Sequence, residues 1–237
     1  MRIRLNTFVI AAAIAAAAAQ LAAQTDFQWR GPLTTGQTLE IKDINGDIRA
    51  EPSSSGVAAG GVTICAVYPD VAGQEPNRCE PGAKSKSHTR NNDTTVRFTV
   101  QVPVGVALVA RTVNGSIEGD GLNGDAEGHT VNGSVRLSTS GTASGNTVNG
   151  SLTLTMARTD WRDEAKFSTV NGSITLRLPA FLSANLHATT LNGEIESDFP
   201  ITTTGTVNRR RIDGTIGNGG QRLTLSTVNG SVKLLRQ

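Results

Sequence analysis

Thr169-Val170-Asn171-Gly172-Ser173-Ile174 is the stretch whose reading decides the fold. The same word recurs complete at residues 112–117, 130–135, 147–152 and 227–232, with Val or Leu replacing the final Ile in three of them. Degenerate copies stand at Ile44-Asn45-Gly46-Asp47-Ile48, Leu122-Asn123-Gly124-Asp125-Ala126, Leu191-Asn192-Gly193-Glu194-Ile195 and Ile212-Asp213-Gly214-Thr215-Ile216. A word that recurs this often marks a repeat architecture, in which one unit cannot bury its apolar face alone but a stack can.

Asn-Gly between apolar runs is the usual signal for a two-residue hairpin turn. The flanking residues argue against that here. A hairpin would pair Val170 with Ser173 and Thr169 with Ile174, an apolar–polar mismatch that every complete copy repeats. As one continuous extended segment, Val170, Gly172, Ile174, Leu176 and Leu178 share a face at period two. That parity puts glycine on the packed face, and a left-handed bend at the asparagine would break it. Successive Asn or Asp positions from Asn114 to Asn229 lie 16 to 22 residues apart, enough for a coil of two or three short strands. The chain therefore reads as all-β, a solenoid with Asn45, Asn114, Asn132, Asn149, Asn171, Asn192, Asp213 and Asn229 stacked in a ladder along one side. A hairpin-built sandwich is the rival.

Working outward, residues 1–23 read as a secretory signal peptide: Arg2 and Arg4, an apolar run over 8–19, and small residues at Ala17 to Ala19 and at Ala22-Ala23. That run is too short to span a bilayer. Residues 24–237 then form one solenoid domain, with N-terminal strands and a loop over 24–105 and regular repeats over 106–237. Removing Arg2 and Arg4 brings 22 Lys plus Arg down to 20, equal to the 20 Asp plus Glu. A neutral chain with 4% aromatics lacks the surface of a nucleic-acid binder. Cys65 and Cys79 are the only cysteines. An even count in an exported chain favours a disulfide between them, with two free thiols as the alternative.

Catalytic signals are weak. Acids recur two and four residues after the motif Asn or Asp, but their neighbours in the stack read Ser, Thr, Arg or Gly. That gives no paired carboxylates for glycoside hydrolysis. Asn114, Asn123 and Asn132 step by nine, as in calcium-binding nonapeptide repeats, but the accompanying glycine pattern is missing. His88, His129 and His187 fall in unrelated contexts and suggest no metal or triad. No catalytic residue, cofactor or metal ligand is assigned.

The repeated Thr-Val-Asn-Gly-Ser resembles the bacterial putative-adhesin family of exported β-strand-repeat domains, related to GIN head domains. So do Val102-Pro103-Val104-Gly105-Val106 and the segment from Gly214-Thr215-Ile216-Gly217 to Thr227-Val228-Asn229-Gly230. The resemblance covers roughly residues 37–237. It implies a right-handed parallel β-helix-like fold and an envelope location, and carries over no catalytic residues. The resulting expectation is a non-enzymatic adhesin or scaffold, in the periplasm, on the cell surface or outside the cell, contacting an envelope protein or polysaccharide. A polysaccharide-acting β-helix enzyme and a module that stacks with other envelope proteins are the alternatives.

Overall fold

The computed structural model describes residues 2–5, 12–13, 28–31, 33–53, 61–82, 88–161, 164–203 and 208–237. No α-helix occurs among the described residues. Each coil carries one strand in each of two sheets, joined at an Asn-Gly corner. The coils are β3 (Thr38–Lys42) with β4 (Ile48–Ser53), β7 (Ala107–Arg111) with β8 (Ile117–Leu122), and β9 (Ala126–His129) with β10 (Val135–Thr139). They continue as β11 (Ala143–Asn146) with β12 (Leu152–Met156), β13 (Ala165–Ser168) with β14 (Ile174–Leu178), β15 (Ala184–Asn192) with β16 (Ile195–Ser197), and β19 (Arg222–Asn229) with β20 (Val232–Arg236). A longer coil at one end joins β5 (Val62–Val67) to β6 (Phe98–Pro103) through the disulfide loop. The hairpin of β17 (Ile201–Thr203) and β18 (Arg211–Ile216) lies antiparallel on β15.

Pairing between coils is parallel and in register, so like side chains stack. Ile48, Ile117, Val135, Leu152, Ile174, Val232 and Ile195 form one unbroken aliphatic column, the first inward residue after each corner. All seven are buried. The facing sheet is small in mid-stack, with Ala126 and Gly128 beside Ala143 and Gly145. A Cβ on Gly128 would stand 2.6 Å from Val135 Cγ1, so small residues on one sheet make room for large ones on the other. One hydrophobic cluster runs from Leu33 to Leu234.

Stack order departs from chain order at both ends. One sheet runs β16-β20-β14-β12-β10-β8-β4-β6, so the last coil in sequence lodges between the β13–β14 and β15–β16 coils. Likewise the β3–β4 coil lies inside the β5–β6 coil. The expectation that Asp213 is a rung of the ladder is corrected here. Asp213 sits in β18 opposite His187, because an antiparallel hairpin occupies the free edge of β15.

The proposed leader over 1–23 lies outside the described residues except for β1 (Arg2–Leu5) and β2 (Ala12–Ala13). β1 pairs antiparallel with the edge of β5, and β2 pairs with β1. The expected junction of leader and domain is not among the described residues.

Candidate binding face at the Asn-Gly corner

The motif is a corner, and it reverses the side-chain parity that a continuous strand would keep. Thr169 is buried, Val170 is 39% exposed, Asn171 is exposed and Ile174 is fully buried. Two successive residues therefore point out, and the inward set switches from Phe167 and Thr169 to Ile174 and Leu176. The expected placement of valine and glycine on the packed face is overturned. No left-handed asparagine is needed: among the described residues, the non-glycine residue with positive φ is Asn91, outside the motif.

Glycine serves the approach between coils. A Cβ on Gly172 would stand 1.9 Å from the Gly150 carbonyl oxygen, and on Gly150 1.9 Å from that of Gly133. The same collision arises at Gly115, Gly133, Gly193 and Gly230. The motif glycine thus points along the stack at its neighbour's backbone, and only hydrogen fits.

Inside the corner runs a threonine column. Thr112, Thr130, Thr147, Thr169, Thr227 and Thr190 are buried, and each donates its hydroxyl to a motif-glycine carbonyl of the adjoining coil at 2.8–3.1 Å. These bonds satisfy polar groups that would otherwise be costly to bury. In the first coil Asp43 takes the threonine place. Its Oδ1 accepts from the Tyr68 hydroxyl and the Ile44 amide, both at 2.8 Å, while the buried Oδ2 has no partner. Burial pushes the Asp43 carboxyl up to about 6, against the lowering effect of those hydrogen bonds, and burial also pushes the Tyr68 hydroxyl upward.

Outside the corner run three more columns. Asn45, Asn114, Asn132, Asn149, Asn171, Asn229 and Asn192 are joined amide to amide, each Nδ2 donating to the preceding Oδ1 at 2.7–2.8 Å. An interior rung spends one of two donors and one of two lone pairs on its neighbours, so it keeps one of each for a ligand. Beside it, Asp47, Ser116, Ser134, Ser151, Ser173 and Ser231 each accept the next coil's backbone N–H, at 2.7–3.4 Å, up to Glu194. The third column is apolar: Val113, Val131, Val148, Val170, Val228 and Leu191 are all exposed, with Ile44 half-buried at the first rung. The period-two reading had placed these valines inside. The recurring threonine just before them is the signal that could have revealed the corner.

Other residues singled out by sequence fall elsewhere. Cys65 and Cys79 form a disulfide. Its loop is strapped to the sheet by the Lys42 ammonium on the Glu80 and Gly82 carbonyls and by the Gly82 amide on Glu40 at 2.9 Å. Asn123 lies past the far end of β8, away from Asn114 and Asn132, so the nine-residue steps do not build one loop. Acids on the outer sheet faces meet bases. Glu118 lies in register between Arg49 and Arg136, and Glu196 pairs with Lys233 at 2.9 Å. Glu127 lies between His129 and Arg111, whose bonds and charges hold its carboxyl below the usual range, His129 most of all. Asp47 and Glu194 close opposite ends of the serine column. Six strand spacings of about 4.8 Å separate them, far beyond the reach of a carboxylate pair on one glycosidic bond. Among the described residues, no group of three or more His, Cys, Asp or Glu could hold a metal ion.

The Toastrack DUF4097 family model matches residues 112–235, more than half the chain and most of the ladder. The chain belongs to the Toastrack DUF4097 family. A solved structure of a putative cell adhesion protein from Clostridium sporogenes superposes on this Toastrack chain with a TM-score of 0.45 and 9% identity, covering 89% of this chain and 97% of that one. No curated protein matches the Toastrack chain in sequence.

Proposed function

We propose that this Toastrack protein is an exported, non-enzymatic adhesin or scaffold of the cell envelope, and that the Asn-Gly corner is its contact face. The observation that carries this reading is the strip itself. Exposed aliphatic rungs run beside amides and hydroxyls that keep spare hydrogen-bonding capacity, one set per coil. A strip of that kind gains affinity from many weak contacts made together, with no single anchor. The partner is an envelope protein or polysaccharide, and residues 1–23 are the leader that exports a single solenoid domain. No helix among the described residues is long and apolar enough to cross a membrane.

The test pairs envelope binding with turnover. Asn171→Ala or Ser151→Ala alone should weaken association with envelope fractions only slightly, and substitutions spread over several rungs should abolish it. Product release from cell-wall or capsular polysaccharide that one Asp or Glu substitution eliminates would overturn the non-enzymatic reading, because losing one catalytic group costs orders of magnitude.

A further inference from the structure

The apolar column has an order that its neighbours in sequence conceal. Read along the stack through the corner bridges and the β15–β19 pairing, its seven rungs are Ile44, Val113, Val131, Val148, Val170, Val228 and Leu191. We propose that a second copy of this chain docks on this corner, antiparallel, with a two-fold axis through Val148. The inference rests on the corner being a contact face and narrows the envelope-protein partner it meets there to a second copy of this chain.

Three observations support it. Spacing comes first. Rungs repeat at the strand separation, about 4.8 Å, so an occupant that engages every rung must carry the same period over six steps. A second copy does so by construction, and an antiparallel two-fold makes the contact self-complementary and closed. Shape comes second. The axis pairs the first rung with the last, and Leu191 is the most exposed member at 60% whereas Ile44 is recessed. The protruding end therefore meets the sunken end.

Charge comes third. At the first rung, Asp47, Asp93 and Arg97 line one shallow hollow with Asn45, a formal balance of −1 from two acids and one arginine. At the last rung, Glu194 pairs with Arg209 at 3.5 Å, and Arg210 follows with its carbonyl bonded to the Thr190 amide. Glu194, Arg209 and Arg210 balance to +1, and the neighbouring Arg211–Asp213 and Lys233–Glu196 pairs cancel. The antiparallel arrangement brings each end against its opposite, whereas a parallel one brings like against like. The ridge is narrow compared with the roughly 800 Å² per partner of a standard interface, so the dimer is weak in dilute solution and favoured where copies are concentrated at a surface.

Single cysteines with a short bismaleimide linker read the register, with Cys65 and Cys79 left in their disulfide. Val148→Cys alone should yield covalent dimers. Val113→Cys alone should not, and neither should Val228→Cys, but an equimolar mixture of the two should. Circular dichroism checks that each variant keeps its fold. Val148→Asp, which sets two charges face to face on the axis, should abolish linking through Cys at the other rungs and the concentration-dependent increase in sedimentation coefficient. Self-linking of Val113→Cys as fast as that of Val148→Cys would overturn the antiparallel dimer, as would a sedimentation coefficient that stays monomeric into the high-micromolar range. If the dimer fails while multi-rung corner variants still lose envelope binding, the contact-face reading stands without it. A dimer with no corner-dependent envelope binding would keep the corner as a contact face and remove the envelope part of that reading.

Discussion

The Thr169 hydroxyl donates to the Gly150 carbonyl oxygen at 2.8 Å, and that same oxygen stands 1.9 Å from where a Cβ on Gly172 would lie. Buried threonine and motif glycine are thus two solutions to one constraint. Coils approach closely enough that the carbonyl must be met by a hydroxyl on one side and by nothing larger than hydrogen on the other. Repeated at each rung, this ties the inner wall of the corner to the backbone of its neighbour.

Gly172→Val should therefore destabilise the protein by about 3 kcal/mol or more, at or beyond the upper end for overpacking, because the obstacle is backbone in mid-stack. Gly172→Ala should also be clearly destabilising. Val170→Ala, one turn of the corner away and exposed, should stay within about 0.5 kcal/mol of the parent. Urea midpoints at equal slope distinguish these outcomes. A Gly172→Val midpoint equal to the parent's would refute the close-approach account.

Thr169→Val removes the hydroxyl while keeping the shape, and leaves the Gly150 carbonyl without that donor. A cost of about 1–2 kcal/mol is expected. Thr169→Ser restores the donor and should recover part of the loss. Equal stabilities for the Val and Ser variants would show that the column contributes packing alone.

Asp43 makes stability depend on pH in an unusual direction. Its carboxyl titrates near 6 in the fold against an ordinary value of 3.8, because burial disfavours the charge. The folded state therefore holds this proton more tightly than the unfolded chain. The contribution is fully present below about 3.8 and is lost as pH rises through about 6. Asp43→Asn cannot ionise and supplies a donor where Oδ2 has no partner. The variant should gain on the order of 1–3 kcal/mol relative to the parent at pH 7.5, and the difference should shrink towards pH 4. Chemical denaturation at the two pH values checks it, and a gain independent of pH would contradict the assignment.

Reducing the Cys65–Cys79 bond should cost about 3 kcal/mol by the loop-entropy account, given the sequence separation of 14. Because the loop is also held by Lys42 and Glu40, hydrogen exchange should accelerate first in residues 68–82 and leave the β10–β14 coils protected. Uniform acceleration across the stack would mean that the bond supports the whole solenoid.

Recurrence in the sequence determined the architecture. A word that returns every 16 to 22 residues with alternating aliphatic residues behind it can bury its apolar face only by stacking, and Ile174, Leu176 and Leu178 lie inside as their period requires. All seven asparagines named as rungs from the repeat alone, Asn192 included, stand in one hydrogen-bonded column, and Asp213 does not. Two things were decided only in three dimensions. The corner turns the chain between Thr169 and Ile174, so the parity that works along each strand fails across the motif. This sends Val170 outward, because the buried threonine finds its acceptor on the next coil and not on its own. Rung order was the other. Spacing along the chain gives contour length, not neighbours. The β17–β18 hairpin holds the outer edge of β15, and the last coil therefore takes the remaining edge, between the β13–β14 and β15–β16 coils.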